Sequence, residues 1–317
     1  MSNTAPLSKP FNHDLPTLLR LIAITLIVAG HFDLFKYGGG GAALLMVIVG
    51  YNIATFKLPK VLESGSVKPI AIMIIKVMIP TIAYTLLLHL VFGPFRYQEL
   101  LLISNFYTEH HPNGFHYWFI EVYIQVQIML LALLALQPVR SLLINHKKTA
   151  SYGFVLLATL LYLITDNLWD FSSLYRRLPW LMLWLVAFGF AARCADSLPE
   201  KIILSLSFII VSTSYYGSIH WFLATLVTLL IFNPPLSLPA LLKIPVNYIA
   251  AGSLFIYLTH FQVRTIFEKV VQDTPIAYTL AALFIGATLF HIYNKLINKP
   301  AIIHINNIKI QNKKAID

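Results

Sequence analysis

Long apolar stretches separated by short polar segments run through the whole of this chain. About 20 apolar residues are enough to cross a membrane as a helix. Because the seventh and eighth stretches are short and weakly separated, nine or eleven spans remain alternatives to ten. The pattern therefore predicts an all-α fold, a polytopic transmembrane helical bundle of about ten spans. The predicted spans are 16–34, 38–56, 67–92, 116–137, 150–166, 177–195, 201–215, 217–232, 244–267 and 276–297.

The composition also indicates a membrane protein. Hydrophobic residues make up 58% and charged residues 11% of the 317 residues, whereas a soluble domain has about 25% charged residues. The single cysteine, Cys194, excludes an intramolecular disulfide framework. No Cys or His residues have the spacing of a metal site, so no metal is expected.

The distribution of Lys and Arg predicts the orientation of the bundle. With the N-terminus in the cytosol, fifteen basic residues outside the spans fall on the cytosolic side and five on the outer side. Such an excess is typical of the cytosolic side. We expect one domain over 1–317 with both termini cytosolic, 1–15 being an N-terminal segment without a cleavage site and 298–317 a basic tail. The formal net charge of +10 then lies beside membrane lipids and requires no nucleic-acid partner.

Two ionisable residues share one face of the first span. Arg20 and His31 are eleven residues apart, which is about three helical turns and ~16 Å along the axis. Ionisable side chains inside a membrane are costly, so they indicate a functional site by default. The alternative is an Arg that reaches the cytosolic interface, above a His that is hydrogen-bonded in the core.

The third and fourth spans carry one ionisable candidate each. Lys76 lies four residues before Pro80, which removes a helix hydrogen bond and can open space beside the lysine. Glu121 lies about one turn into the fourth span, on a face shared with Gln125. Lys76 as a packing residue and Glu121 as a structural carboxyl are the alternatives.

The ninth span places Tyr257, His260 and Arg264 on one face, since they are three and four residues apart. Packing explains Tyr257, and a basic side chain that reaches the membrane surface explains Arg264. Neither explanation applies to His260, which therefore becomes a candidate for the functional site.

These positions resemble the acyltransferase 3 family of integral membrane proteins. The third helix of that family often carries two arginines three residues apart, where this chain has Met73 and Lys76. A serine of the family motif is replaced by Val49, so the chain resembles a divergent member, and the esterase-like domain that some members carry is not expected. The resemblance covers residues 20 to about 264. The matching residues are Arg20, His31, Gly41, Gly50, Tyr51, the Trp118-Phe119-Ile120 run, and Gly252, Ser253, Tyr257, Leu258 and His260.

The resemblance implies transfer of an acyl group, with acetyl expected, from cytosolic acyl-CoA to a hydroxyl of a cell-envelope carbohydrate or similar acceptor, free or lipid-linked. The location would be the bacterial cytoplasmic membrane, and a homo-oligomer is compatible with the sequence. Arg20 and Lys76 are expected to bind acyl-CoA. His31 is the expected general base or acyl relay, and Glu121 would orient it or bind the acceptor. Candidates for acceptor binding or oxyanion stabilisation are Tyr51, Tyr257 and His260.

A secondary transporter or flippase is the competing function, because intramembrane Arg, Lys, Glu and His also build proton relays and substrate paths. The sequence shows no inverted repeat and no matched pair of broken helices. Such features would favour a transporter, and their lack makes the enzyme the preferred hypothesis.

Overall fold

The computed structural model describes residues 14–34, 40–107, 117–168, 177–270 and 274–298. Within these ranges the chain is helical and contains no strand. Short 3₁₀ or π turns occur at Ser104–Phe106, Ile53–Lys57 and Asn294–Asn298. The α-helices are α1 (Asp14–His31), α2 (Gly41–Asn52), α3 (Leu58–Ser64), α4 (Lys68–Phe92), α5 (Tyr97–Leu100), α6 (Trp118–Ala135), α7 (Gln137–Asn145), α8 (Lys147–Leu168), α9 (Pro179–Cys194), α10 (Leu198–Tyr216), α11 (Trp221–Phe232), α12 (Ala240–Ala251), α13 (Ser253–Phe267) and α14 (Pro275–Tyr293).

The described helices confirm the predicted all-α transmembrane fold. Seven of them, counting α2 with α3 and α14 with the turn after it, are long and apolar enough to cross a membrane. The pair α12 and α13, bent by 74°, adds an eighth as a broken span. The shorter apolar helices α9 and α11 coincide with the other two predicted stretches. Length and composition thus support seven or eight crossings, fewer than the ten predicted.

Helix α9 forms the centre of the bundle. Nearly all of its side chains are buried, so it has no polar face, as expected of a helix surrounded by other helices. It packs against α2, α6 and α8. A Cβ atom on Gly50 of α2 would lie 1.9 Å from the Val186 carbonyl oxygen, and one on Gly189 would lie 1.8 Å from the Val47 carbonyl oxygen. Glycine is required at both positions because the backbones of α2 and α9 touch there.

Helix α13 is held against α14 by the same kind of contact. A Cβ on Gly252, at the bend between α12 and α13, would lie 2.6 Å from the Ala287 Cα atom. One on Gly286 would lie 2.4 Å from the Ile256 Cα atom. Helix α1 packs against α2, α12, α13 and α14. Helix α1, which carries Arg20 and His31, therefore lies against α13, which carries Tyr257 and His260.

The outer faces of the peripheral helices are apolar. On α4, for example, Ile79, Leu87 and Leu90 are exposed. Exposed apolar surface of this extent suits contact with lipid rather than water. Arg20, Ser253 and the buried His260, described next, face the neighbouring helices instead.

Candidate functional site

Helices α1 and α13 are joined by two pairs of polar side chains. The Arg20 guanidinium donates from Nε to the Ser253 hydroxyl over 2.9 Å. Near the other end of α1, His31 Nδ1 lies 2.7 Å from His260 Nε2. Since Ser253 precedes His260 as Arg20 precedes His31, the two helices run parallel here. The common face of Arg20 and His31 that the spacing predicts is the face that packs against α13.

The two histidine rings meet edge to edge. Their planes differ by 11° and their centroids are 4.9 Å apart. Because the facing nitrogens are much closer than the centroids, the rings lie nearly in one plane and the hydrogen bond is well aligned. His260 Nδ1 donates to the Tyr257 carbonyl over 2.6 Å. His260 is fully buried, whereas His31 is partly exposed.

Arg264 fixes the end of α1. Its Nη1 donates to the His31 carbonyl over 2.9 Å, and its Nε donates to the Glu268 carboxylate one turn later. The His31 carbonyl is one of the acceptors that the last turn of a helix leaves without an intrahelical partner. A cation at this end also interacts favourably with the partial negative charge of the helix dipole. Through His260 and Arg264, α13 thus holds both the ring and the backbone of His31.

A cavity of about 270 Å³ lies beside Arg20. Its walls come from α1, α2, α4, α6 and α13, and they combine a few polar groups with an apolar majority. His31 is not among the lining residues, whereas Tyr257, whose carbonyl binds His260, is one of them. The lining residues are Arg20, Leu45, Ile48, Val49, Asn52, Met73, Val77, Phe119, Ile120, Tyr123, Ser253, Leu254 and Tyr257.

Lys76 lies outside this cavity, with an exposed side chain, while Met73 and Val77 of the same helix line it. Lys60 of α3 and Lys76 of α4 both lie close enough to the Lys57 ammonium for their charges to act on it. None of the three has a hydrogen-bond or ion-pair partner in the part of the chain that the structure describes. The structure therefore does not bring Lys76 into the cavity beside Arg20. Arg20 shares that cavity with Met73 and Val77 of α4.

Glu121 joins a polar network that is separate from the histidine pair. It is buried and accepts a hydrogen bond from the Ser104 hydroxyl and one from the Asn105 backbone N–H, each over 2.7 Å. The Asn105 side-chain amide donates to the Gln125 side chain over 3.0 Å and to the Arg177 carbonyl over 2.7 Å. These bonds attach the segment between α5 and α6 to the side of α6. Nothing described brings the Glu121 carboxylate against His31.

The two tyrosine candidates occupy different places. Tyr51 is buried directly after Gly50, where α2 meets α9. Tyr257 lines the cavity, and its ring centroid is 5.5 Å from that of His260. Of the two, Tyr257 alone links the cavity to the histidine pair.

Asn52 and Tyr123 are polar cavity residues that sequence reasoning missed, and Ser253 was matched to the family pattern but not assigned to the site. For Ser253 a signal existed, because it lies one turn before Tyr257 and shares the periodic face that also carries His260 and Arg264. Asn52 and Tyr123 carried no comparable signal, since each is a single polar residue near the end or middle of an apolar helix.

Beyond the C-terminal end of α4, Glu99 lies against a buried histidine. Its Oε2 is 3.2 Å from His89 Nε2. His89 Nδ1 donates to the Thr85 carbonyl over 2.8 Å. Burial raises the pKa of the Glu99 carboxyl to about 7, although the nearby Arg96 cation acts in the opposite direction.

Comparison with known proteins identifies the family of the chain. The profile of a family described as an acyltransferase domain matches residues 16–292, which include α1, α13 and every helix that lines the cavity. Searches of the curated proteins and of the solved structures found no significant match. The match covers most of the chain, and the chain is thus a member of the acyltransferase 3 family, a membrane-embedded acyltransferase with several spans.

Proposed function

We propose that this acyltransferase moves an acyl group, acetyl in the simplest case, from cytosolic acyl-CoA to a hydroxyl of a cell-envelope carbohydrate or similar acceptor. The observation that carries the proposal is the pairing of Arg20 with Ser253 and of His31 with His260 across one helix interface. It sets a cation beside a cavity and an imidazole some three turns further along α1. An anionic donor and a hydroxyl acceptor require these two chemistries.

The donor would approach from the side of α1 that carries Arg20. Coenzyme A has phosphate groups at one end, and charge-assisted hydrogen bonds to phosphate are strong. Lys57, Lys60 of α3 and Lys76 of α4 supply cations without described partners, and Arg20 supplies one beside the cavity. The flexible pantetheine arm would then occupy the largely apolar cavity and bring its thioester towards Tyr257.

His31 would act on the acceptor. A neutral imidazole takes the proton of the acceptor hydroxyl while the oxygen attacks the thioester carbon. The new C–O bond forms, the C–S bond breaks, and the proton passes from His31 to the leaving thiolate of coenzyme A. In the relay variant of this mechanism, His31 carries the acyl group briefly before the hydroxyl takes it. In both variants the thioester would have to pass Tyr257, which lines the cavity and accepts the His260 hydrogen bond through its carbonyl.

The location that we propose is the bacterial cytoplasmic membrane, with both termini in the cytosol. The excess of Lys and Arg on one side of the spans supports this orientation, and basic residues there would contact lipid headgroups. The acceptor would be free or lipid-linked and would enter from the outer side, near the end of α1 that carries His31.

The test is acyl transfer by purified protein in lipid nanodiscs with radiolabelled acetyl-CoA and an envelope carbohydrate extract. Wild type should transfer label to the extract. His31→Ala should abolish transfer while the folded yield is retained, because it removes a partly exposed ring without changing an apolar helix face. His146→Ala, which truncates an exposed histidine after α7, is the matched control and should keep wild-type turnover. Normal turnover in His31→Ala would contradict the proposed chemistry.

A further inference from the structure

The hydrogen bonds of His260 determine which of its nitrogens carries the hydrogen. A carbonyl oxygen only accepts, so the 2.6 Å contact with the Tyr257 carbonyl requires a hydrogen on His260 Nδ1. In a neutral ring the other nitrogen, Nε2, then presents a lone pair. That lone pair is directed at His31 Nδ1, 2.7 Å away in nearly the same plane.

The surroundings favour a neutral His260. Its side chain has no exposure to solvent, and no carboxylate contacts it in the described part of the chain. Glu268, the carboxylate of the same helix, binds Arg264 rather than His260. A buried imidazolium with no anion beside it would cost several kcal/mol of desolvation, so the shared hydrogen belongs to His31 Nδ1.

We propose that His260 is a positioning residue, which holds His31 in the tautomer with hydrogen on Nδ1 and thereby makes Nε2 the reactive atom. The proposal rests on the function proposed above. It replaces the expected role of His260 in stabilising an oxyanion, since both of its nitrogens are engaged. His31 Nε2 has no hydrogen-bond partner among the described residues, and the ring is partly exposed. This nitrogen is the one free to take a proton.

The arrangement differs from one in which a carboxylate orients the histidine. A carboxylate accepts from Nδ1 and also stabilises the imidazolium electrostatically. His260 supplies the acceptor without the negative charge, and its own orientation is fixed by a backbone carbonyl one turn earlier. The pair can therefore lie in a membrane interior without a buried anion, at the cost of a less stabilised imidazolium.

Two substitutions separate positioning from packing. A glutamine amide extends about as far as imidazole Nε2, so in His260→Gln its NH₂ can bind the Tyr257 carbonyl while its oxygen accepts from His31 Nδ1–H. An asparagine amide ends near the level of Nδ1, so His260→Asn keeps the contact with Tyr257 but does not reach His31. If His260 positions His31, the glutamine variant should retain kcat within about tenfold. The asparagine variant should lose ~10²–10⁴-fold, the range of a misplaced acid–base group.

KM for acetyl-CoA should stay unchanged in both variants, because Arg20 and the cavity are untouched. Folded yield by size-exclusion chromatography accompanies each measurement. Equal kcat in the two variants, or a change confined to KM, would overturn the positioning role.

The direct readout is the tautomer of His31, from nitrogen-15 NMR of histidine-labelled protein in nanodiscs without substrate. His31 is assigned by its loss in His31→Gln. We expect a protonated Nδ1 and a bare Nε2 in wild type and in His260→Gln, and a mixture of tautomers in His260→Asn. A protonated Nε2 and bare Nδ1 in wild type would overturn the proposal whether or not the enzyme is active. Loss of turnover in His31→Ala together with that result would leave the proposed function standing and remove only the role of His260.

Discussion

At the scale of single residues, the orientation of α4 determines which of its side chains can contact a donor in the cavity. Met73 and Val77, four apart, face the cavity, while Lys76 points elsewhere. The resemblance associates residue 73 with an arginine, so the thioether replaces a cation in the cavity that Arg20 also lines. The site consequently has an apolar surface where a second charge would otherwise lie.

Met73→Arg should restore that charge. Without donor, the new cation would repel Arg20 and lower thermal stability. With acyl-CoA bound, it should tighten affinity by up to about 1.5–3 kcal/mol, the value of a hydrogen bond between charged groups. Isothermal titration with acetyl-CoA, together with thermal unfolding with and without it, measures both effects.

Ile75→Arg is the control for Met73→Arg, because Ile75 is exposed on the lipid side of the same helix. It should leave donor affinity unchanged and lower insertion, since an arginine on the lipid side costs up to ~2.5–3.5 kcal/mol. Poor yield of Met73→Arg with no gain in affinity would mean that residue 73 does not meet the donor.

At the scale of helices, the sequence predicts what depends on neighbours along the chain. The apolar periods locate the spans, and the eleven-residue interval puts Arg20 and His31 on one face. Their partners Ser253 and His260 lie more than 200 residues away, and no local period specifies such a contact. The direction of Lys76 was equally unpredictable, because it depends on the rotation of α4 against its neighbours. Glu121 was a candidate because of its depth and the face it shares with Gln125, whereas its contacts with Ser104 and Asn105 depend on how the preceding segment folds back.

The contact between α2 and α9 gives a prediction at this scale. Gly50→Ala would place a methyl group 1.9 Å from the Val186 carbonyl oxygen, so the helices must separate. Overpacking of this kind costs about 1–3 kcal/mol. Gly153→Ala in α8 is the control, because no atom lies within 4 Å of its added Cβ, and it should stabilise by up to ~1 kcal/mol through helix propensity. Thermal unfolding in detergent compares the two, and equal stability would disprove the tight approach.

At the scale of the whole molecule, the segment between α4 and α6 is attached to the bundle at two places. Ser104 and Asn105 of this segment donate hydrogen bonds to Glu121 of α6. Glu99 of α5 contacts His89 of α4. The second attachment contains a carboxyl with an elevated pKa, so the stability of the fold should depend on pH in the neutral range.

The sign follows from proton binding. Burial raises the pKa of Glu99 from 4.5 to about 7 in the folded protein, so between these values the folded state holds a proton that the unfolded state releases. The stabilising contribution is complete below pH 4.5 and is lost as pH rises through about 7. Glu99→Gln should remove this part of the pH dependence in thermal unfolding. Glu63→Gln, at an exposed carboxylate of α3, should retain it, and identical pH profiles for wild type and Glu99→Gln would refute the assignment.

The central position of α9 also constrains how the protein is made. Its partner α2 ends at Asn52, whereas α9 begins at Pro179, so translation at ~5–20 residues per second leaves on the order of ten seconds between them. During this interval the surface of α2 around Gly50, which later packs against α9, faces lipid or the insertion machinery. Helix α13 emerges still later, so Arg20 and His31 enter the membrane before Ser253 and His260 exist. A ribosome-bound chain therefore carries Arg20 in its first span without its hydroxyl partner until the ninth predicted span is inserted, which makes early release of α1 into lipid unfavourable.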